Sequence, residues 1–588
     1  MDTTHHYDGL ELDVYHGMEV NQYGGEAGDL GSMDKVPFHD RERVYDEDPR
    51  SRLHRDLKTR QLAMIALGGA LGTGLIINTG TVLAQAGPGS TLIGYALVGV
   101  LCYAVMAAMG EMATWLPISS GFTGFAHRFV DPALGFALGW NYWFKYIITT
   151  PNNLIASALV IGYWFEQAGY DGPGSNPGIY VAIILIIIVA INYFGVSFFG
   201  EFEFWLSSVK VLIILGLIIF TLVIAVGGGP DHDAKGFRYW HVPGAFAAYK
   251  AEGAGGRFLA FFSVLTAAVF SFLGSELVGV TVGEAQNPRK AIPRAVKLTF
   301  YRIVIFYIVL ILLLGLNVPY DSPLLLSAAN EAKGTTSANA SPFVAAALIA
   351  GVNALPSLIN ACILVFTFSA ANSDLYIASR TLYGLSMEGN APRIFSRTDN
   401  RGVPIYSLAL SSSFCLIAFI SAKAGAFKTF QYFISLVTIF GLLTWISILV
   451  SHIYFIRARR AQNIPDSALA YVSPFGLRGS IGALMFACLI GVFNGWADFT
   501  HSPTTGGFDW KNFIVNYIGF PIYLGMIFGY KIIMKTEGVS PEDADLFGGK
   551  TKIDEDEAEF LAKEMARKGG GLETKYERLY RYTLGNLF

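Results

Sequence analysis

Residues Met64–Ile77 read MIALGGALGTGLII, an apolar segment whose middle is filled with glycine. A second apolar segment, Phe261–Val280, reads FFSVLTAAVFSFLGSELVGV and loses its apolar character where Gly274 and Glu276 stand. With its flanking residues, each segment is long enough to cross a bilayer, for which about 20 apolar residues suffice. The sequence therefore predicts two membrane-spanning helices that are interrupted midway.

The two interruptions have two explanations. In hydrocarbon an unpaired backbone group is costly, so an opened helix persists only where it lines a cavity or binds something. Two such breaks in corresponding positions are typical of secondary transporters, whose half-helices form the substrate site. The alternative is that the glycines only allow neighbouring helices to pack closely. The carboxylate of Glu276 within the second break favours the first explanation.

The whole chain has the composition of a membrane protein. Of its 588 residues, 53% are hydrophobic and 15% are charged, whereas soluble domains carry about 25% charged residues. Apolar runs of spanning length occur twelve times and are numbered here as spans 1 to 12. They lie near 62–84, 91–115, 133–163, 178–198, 204–227, 258–283, 298–318, 343–371, 405–422, 430–455, 478–498 and 512–534. The predicted fold is an all-α polytopic membrane protein with breaks in spans 1 and 6.

The sequence argues against several classes of function. A net charge of −3 without a basic stripe gives no reason to expect a nucleic-acid partner. The four cysteines fall inside apolar spans without metal-ligand spacing, and we expect them to be buried hydrophobes. The sequence contains no hydrolase serine elbow, metal cluster or phosphate loop. We therefore expect neither an enzyme nor a bound metal or cofactor, and a carrier fits better than a channel because no pore-lining ring is present.

Positive charge identifies one side of the bundle. The loops between spans 6 and 7, 8 and 9, and 10 and 11 are rich in Lys and Arg, as are the residues before span 1. The positive-inside rule predicts that this side, here called the basic face, is cytosolic and holds both termini. We expect a mostly disordered tail over 1–56, a membrane domain over 57–535 and a second tail over 536–588. Lys35 is either a modification site for turnover or simply a solvated lysine, and the tails are the expected contacts of ubiquitin and trafficking machinery. Asn339 lies in a glycosylation sequon, but Pro342 directly after the sequon argues against its use.

Four ionisable residues stand out inside the predicted spans: Glu111, Lys145, Lys210 and Glu276. Charges at bilayer depth are costly and mark functional sites by default. Each also has a structural explanation. Glu111 could anchor helix ends, while Lys145 and Lys210 could extend to the membrane interface.

The electrostatics of an opened helix predict what these charges do. A helix broken at 68–74 exposes N–H groups that attract a carboxylate. Carbonyl groups freed at the same break can hold a cation, either a sodium ion or a lysine ammonium. Because burial makes it easier for a lysine to release its proton, a lysine inside span 5 favours proton coupling over sodium coupling.

Several motifs give the chain a resemblance to a known family. They are Leu57–Gln61 (LKTRQ), Gly110–Pro117 (GEMATWLP), Arg128–Phe136 (RFVDPALGF), Gly139–Trp143 (GWNYW), Gly274–Gly279 (GSELVG), Glu284–Pro293 (EAQNPRKAIP) and Ser379–Tyr383 (SRTLY). With these motifs the chain resembles the fungal amino-acid permeases of the amino acid–polyamine–organocation superfamily over nearly all of Leu57–Lys535. The resemblance implies twelve helices built as a five-plus-five inverted repeat with two added helices.

The resemblance also implies roles for the residues at the breaks. The first break would hold the α-carboxylate of an amino acid, and the second would hold its α-amino group. Phe270 and Phe272 would form an aromatic lid, and Lys210 would replace the sodium ion of other members. Independently of the resemblance, the place of Glu111 inside span 2 makes it a further candidate for proton coupling. The implied substrate-binding residues are Gly68, Gly69, Ala70, Gly72, Thr73, Gly74, Lys145, Phe270, Ser271, Phe272, Gly274 and Glu276, with Ser369, Asn372 and Ser373 as weaker candidates.

Three stretches indicate the kind of substrate. Phe144–Asn153, Gly236–Trp240 and the final residues Leu584–Phe588 look most like the dicarboxylic members of the family. A cation at Lys145 is unusual at this place in the family and could pair with the side-chain carboxylate of an acidic substrate. An unpaired carboxylate would otherwise be costly to bury. We hypothesise that Lys145 selects acidic amino acids.

The resulting functional hypothesis is a plasma-membrane importer of L-glutamate and L-aspartate driven by protons. Moving an anion inward against a negative-inside potential requires co-transported positive charge. Two alternatives stay open. One is a broad-range permease for neutral amino acids, with Lys145 at the interface, and the other is an amino-acid sensor with little flux.

Overall fold

A computed structural model describes most of the chain beyond its N-terminal tail. The described residues are 61, 64, 67–68, 71–118, 120–170, 172, 175–281, 287–329, 341–352, 354–422, 426–499, 508–551, 554–555, 557–559 and 561–562. Regular structure within these ranges is helical, so the all-α fold class is confirmed. The predictions for the tail 1–56, Lys35, Asn339, Gly69 and Ala70 lie outside the described residues.

Helices lie at all twelve predicted spans. After its break, span 1 continues as the wide helical turn Gly74–Asn78 and then as Thr79–Trp115, which also contains span 2. The other spans are Pro132–Gln167, Pro177–Tyr193, Val196–Ala225, Gly253–Phe272 with Leu277–Thr281, Pro288–Asn317, Leu355–Met387, Ile405–Ser421, Ala426–Ala461, Gly476–Val492, and Trp510–Tyr517 with Gly519–Met534. Short helices at Phe122–Phe129 and Pro342–Ile349 precede spans 3 and 8.

Length and apolarity alone recover part of this count. Seven helices of the described chain are long and apolar enough to cross a membrane, and the bent pair at span 12 makes an eighth. One of the seven, Gly74–Trp115, holds both span 1 and span 2. The three predicted spans missing from this count are spans 3, 4 and 9. The helices of spans 4 and 9 are too short for the length criterion, and span 3 carries polar residues along its length.

Spans 1 and 2 are separated by a sharp turn at Gly87. This residue has a φ of 78°, a conformation that favours glycine, and Pro88 follows it. The loop before span 6 covers the turn, since Gly89 N donates to Ala245 O over 2.7 Å and Ala247 N donates to Ala86 O over 3.0 Å. The continuous helix is therefore two helices that meet at one end of the bundle.

Span 3 occupies the middle of the bundle, where it packs against spans 8 and 10, while spans 1 and 2 pack against span 6. Outer helices turn apolar side chains away from the protein: Leu212 on span 5 is 67% exposed and Ile533 on span 12 is 77% exposed. On the same span 5, Lys210 and Glu203 are fully buried. Apolar side chains outside and charged ones inside are the arrangement that a bilayer requires.

The start of the C-terminal tail is docked on the basic face. Trp115 Nε1, at the end of span 2, donates to Leu546 O over 2.8 Å, and Leu546 is fully buried. Val539 N donates to Val130 O over 2.8 Å, and Arg289 forms ion pairs with Asp554 and with Glu557. The tail therefore joins the ends of spans 2 and 7 and the loop before span 3.

Candidate substrate and coupling site

The first break packs against two other helices. Leu71 N donates to Gly68 O over 3.1 Å, and Leu71 and Gly72 are not helical before the helix resumes. A Cβ at Gly68 would lie 2.5 Å from the Cβ of Ser207 on span 5, and a Cβ at Gly74 would lie 2.5 Å from the Cα of Ser271 on span 6. Both explanations of the glycines therefore hold, because the helix is interrupted and its glycines allow close approach.

The second break is confirmed at the predicted place. Span 6 ends at Phe272, Leu273 is extended with a ψ of 148°, and Gly274 has a φ of 93°. The chain turns through Glu276 before the helix resumes at Leu277. Gly274 N, freed by the break, points at the Glu276 carboxylate, with 3.3 and 3.2 Å to its two oxygens.

Lys145 and Glu276 meet beside this break. The Lys145 ammonium forms an ion pair with Glu276 Oε1, and the two side chains are 1% and 0% exposed. Trp445 Nε1 on span 10 donates to Glu276 Oε2 over 3.2 Å. The Lys145 ammonium also donates to the Tyr146 hydroxyl over 3.3 Å and lies 4.5 Å from the centre of that ring. Lys145 therefore faces the bundle interior rather than the interface.

Lys210 also has a buried partner, which the sequence analysis did not identify. Its ammonium lies 3.2 Å from Glu203 Oε1 on the same helix, and neither side chain is exposed. Ser207 donates to the same oxygen over 3.1 Å and Ser369 on span 8 donates over 2.8 Å. Because Ser207 contacts Gly68, this ion pair lies directly behind the first break.

A polar chain runs from the first break to a third carboxylate. Thr73 Oγ1 donates to Asn153 Oδ1 over 3.1 Å, and Asn153 Nδ2 donates to Asp374 Oδ2 on span 8 over 2.7 Å. Asp374 interacts electrostatically with Lys145, Lys210 and Glu203. Asp374 and Asn153 were not predicted as site residues. These two hydrogen bonds connect the first break with the Asp374 carboxylate.

The implied aromatic lid is only partly compatible with the structure. Residues two apart on a helix point about 200° apart, so Phe270 and Phe272 cannot both cover one ligand. Phe272 is fully buried and stacks on Tyr307 of span 7 at 4.3 Å between ring centres. Ser271 instead takes part in a hydrogen-bond network, with its Oγ 2.9 Å from the Tyr95 hydroxyl. Phe272 packs between helices, which leaves Phe270 as the candidate lid.

Glu111 lies in a different place from Lys210. Its Oε1 accepts from Arg459 Nη2 over 3.1 Å, and its Oε2 is 3.1 Å from His452 Nε2 and accepts from Ser473 N over 2.8 Å. These partners come from the end of span 10 and the chain that leads into span 11, at the basic face. The contacts are those of a helix anchor, and Glu111 does not share a cluster with Lys210.

The described residues contain no group of three or more His, Cys, Asp and Glu side chains placed to hold a metal ion. The charged groups at the two breaks are two ion pairs, Lys145 with Glu276 and Lys210 with Glu203, and the Asp374 carboxylate. Glycine backbone and buried polar side chains complete the site.

Comparison with known proteins places this geometry in context. The family model described as amino acid permease matches residues 61–538. The chain is 47% identical to the dicarboxylic amino acid permease of Saccharomyces cerevisiae over 92% of this chain and 88% of that protein. It is 38% identical to the proline-specific permease of Emericella nidulans over 85% of this chain and 89% of that protein. With the general amino-acid permease of Saccharomyces cerevisiae it shares 37% identity over 90% of this chain and 85% of that protein.

Proposed function

The chain belongs to the amino acid permease family, and on that premise we propose that it imports L-glutamate and L-aspartate together with protons. It is a transporter with the twelve-helix fold of that family and not an enzyme. The relatives carry amino acids of different kinds, so the family alone does not choose the substrate. The choice of an acidic substrate rests on the site.

The observation that carries this proposal is the buried Lys145 ammonium next to the second break. An ammonium has three N–H donors, and in this structure Glu276 and the Tyr146 hydroxyl take two of them. The third donor is available to a side-chain carboxylate, so Lys145 can hold the substrate without releasing Glu276. The 47% identity to a dicarboxylic amino acid permease supports the same substrate class.

The two breaks supply the rest of the recognition. We assign the substrate α-carboxylate to the backbone around Gly68, Gly72 and Gly74, where an opened helix presents N–H groups. We assign the α-amino group to the backbone carbonyls at the second break, around Ser271 and Gly274. Among the described residues, each of these carbonyls accepts one hydrogen bond, from Tyr307 and from Leu277 N, and keeps a second lone pair. Alternating access then consists of movements of the two broken helices about a fixed site.

Import of an anion requires positive charge to move with it. A membrane potential costs about 2.3 kcal/mol per charge per 100 mV. Lys210 lies behind the first break with its ammonium held by Glu203. This location supports the role that the resemblance implies for Lys210, a fixed cation in place of a sodium ion. A site already occupied by an ammonium favours protons as the coupling ion.

The proposal includes a location and partners. Import of nutrients places the protein in the plasma membrane, with the basic face and both termini in the cytosol. The tails outside the described residues are the proposed contact sites for ubiquitin and trafficking machinery. The lipid bilayer contacts the exposed apolar side chains of the outer helices.

The test of substrate choice compares glutamate with leucine. The double variant Lys145→Met with Glu276→Gln removes the selecting cation without leaving an unpaired buried charge. We expect its ratio of labelled glutamate to leucine uptake in proteoliposomes to fall at least tenfold. The control is Lys235→Met, since Lys235 is an equally buried lysine whose ion pair with Asp231 lies in the loop after span 5. An unchanged ratio in the double variant contradicts the assignment of Lys145.

A broad-range permease for neutral amino acids is the second candidate. The pairing of Lys145 with Glu276 favours it, because the two side chains neutralise each other in this structure. Competition of glutamate uptake by each standard amino acid separates the two candidates, since only an acid-selective carrier ignores excess leucine. Binding of glutamate without flux would instead indicate a sensor.

A further inference from the structure

Three buried carboxylates surround the two breaks, and their partners differ. Glu276 is paired with Lys145 and also accepts from Trp445. Glu203 is paired with Lys210 and accepts from Ser207 and Ser369. Asp374 has no Lys or Arg nitrogen within 4.0 Å among the described residues, and its single hydrogen-bond donor there is the Asn153 amide.

We propose that Asp374 is the residue that carries the co-transported proton. This inference rests on the proposed function, which it deepens by naming the atom that binds the proton. A buried carboxylate with one neutral donor is poorly stabilised as an anion. The two lysines that could stabilise it are each held by another carboxylate. The two ion pairs are neutral, so among these three carboxylates the charge of Asp374 is the one left uncompensated. When no other cation has entered the site, protonation of Asp374 is therefore the least costly way to neutralise it.

Titratable groups on three other helices lie close enough to Asp374 to affect its protonation. The titratable groups that interact with it are Tyr142, Lys145 and Tyr146 on span 3, Glu203 and Lys210 on span 5, and Cys415 on span 9. The positive charges of the two lysines stabilise an Asp374 anion, while the negative charge of Glu203 destabilises it. Arg302 on span 7 donates to Ser275 Oγ, which also accepts from Cys102 on span 2, and Arg302 is not among the charges that act most strongly on Asp374.

Exposure separates Asp374 from the other two carboxylates. Asp374 keeps 7% of its surface exposed, whereas Glu203 and Glu276 keep none. Its Oδ2 accepts from Asn153, and its Oδ1 takes part in none of the hydrogen bonds of the described chain. A proton from water on one side of the membrane can form the O–H bond at Oδ1 and later leave to water on the other side. No bond of the substrate changes in this step.

The polar chain from the first break couples this proton to the substrate. A substrate α-carboxylate at the first break competes for the Thr73 hydroxyl, which in this structure donates to Asn153. Its negative charge also raises the affinity of Asp374 for a proton, because like charges close together favour the neutral acid. Linkage makes the effect reciprocal, so a protonated Asp374 binds the anionic substrate more tightly. Substrate and proton therefore load and leave together.

The experiment uses Asp374→Asn in the full-length chain, reconstituted in proteoliposomes with the membrane potential clamped at zero. One co-transported proton lets a gradient of one pH unit drive an accumulation of about tenfold. We expect the wild type to accumulate labelled glutamate in this way and to acidify the lumen. Asp374→Asn should retain exchange of labelled for unlabelled glutamate at equal pH, while its accumulation ratio falls to about one and lumen acidification is lost.

A matched control is available at Asp498. Asp498 is also buried and also accepts from an asparagine amide, with Asn516 Nδ2 at 2.7 Å. It lies between spans 11 and 12, away from both breaks. Asp498→Asn removes the same charge from the same kind of contact and should retain the tenfold accumulation.

Each outcome has one meaning. Accumulation that persists in Asp374→Asn overturns the inference and leaves proton-coupled import standing. A wild type that does not respond to the pH gradient overturns the proposed function itself. A folded Asp374→Asn that loses exchange as well shows a structural role and also overturns the inference. If Asp374→Asn fails to fold, Asp374→Glu decides, because an unchanged pH profile of uptake in that variant contradicts proton carriage by this residue.

Discussion

The two buried charge clusters of this permease differ in how far their carboxylates are satisfied. At the basic face, both oxygens of Glu111 have partners: Arg459, His452 and the Ser473 backbone. At the breaks, Glu203 Oε2 is buried without a partner among the described residues, and Asp374 has one donor. Both clusters contain buried charge, so burial does not distinguish them. They differ in unused acceptor capacity, which lies beside the opened helices.

The difference has a physical cause. A carboxylate whose oxygens are all bonded stabilises the ends of the helices that supply the donors, and any change in its protonation breaks those bonds. A carboxylate with a free oxygen can gain and lose a proton or a ligand with little rearrangement. Full hydrogen bonding and a free acceptor are thus opposite demands on a carboxylate, and this molecule meets them in two separate clusters.

The largest expected effect comes from separating the pair at the second break. Glu276→Ala leaves the Lys145 ammonium buried without its carboxylate, and removal of one partner of a buried pair costs about 3–5 kcal/mol. We expect a large loss of thermal stability in detergent, measured as a fall in Tm. The double variant Lys145→Met with Glu276→Gln should recover most of that loss. Equal Tm values for the single and double variants would contradict the role of the pair.

Glu111→Gln is expected to have a smaller effect of a different kind. It weakens the bonds from Arg459 and His452, at a cost of about 1–3 kcal/mol for a buried group. We expect Tm to fall while the glutamate accumulation ratio in a pH gradient stays that of the wild type. A stable Glu111→Gln protein that loses accumulation would instead assign Glu111 to proton coupling, as the sequence first indicated, and would erase the distinction between the two clusters.

The fold and the location of the site were predictable, whereas the full charge cluster was not. Apolar runs and glycine-rich interruptions are local properties of the sequence, so the spans and both breaks could be found. The predicted spans, however, ended where the apolar run gives way to polar residues, although the helices continue beyond that point. Span 5 was predicted from 204 although its helix begins at Val196, and span 8 was predicted to end at 371 although its helix continues to Met387. Glu203 and Asp374 lie in the residues left out.

The partners of the predicted charges could not be read from the sequence. Lys145 and Glu276 are 131 positions apart, and Asn153 and Asp374 are 221 positions apart. Which lysine meets which carboxylate depends on how spans 3, 5, 6 and 8 pack. Charges inside apolar helices were the available signal, and a search that extended each helix to its polar ends would have found both missing carboxylates.

The smallest expected effect concerns the tail on the basic face, where charges are partly exposed. Arg289 and Asp554 have side chains that are 22% and 43% exposed, and pairs of this kind contribute about 0.2–1 kcal/mol. Asp554→Asn with Glu557→Gln should therefore loosen the docked tail, measured as faster limited proteolysis after span 12, without changing glutamate accumulation. A change in accumulation would show that charges on the basic face take part in transport.

Acidification should loosen the same contact in the wild type. Burial alone would raise the pKa of Asp554, but hydrogen bonds from Lys550 and Arg289 outweigh it and lower that pKa. Because this pKa is lowered, the Asp554 carboxylate stabilises docking fully at any pH above its ordinary pKa of about 3.9. That contribution is lost only as the pH falls through the lowered pKa of the docked state. Proteolysis of the tail should thus stay constant across the pH range in which proton-driven uptake varies. Tail proteolysis and glutamate uptake, measured over the same pH range, would then respond at different pH values. That result would distinguish the charges of the basic face from those at the breaks.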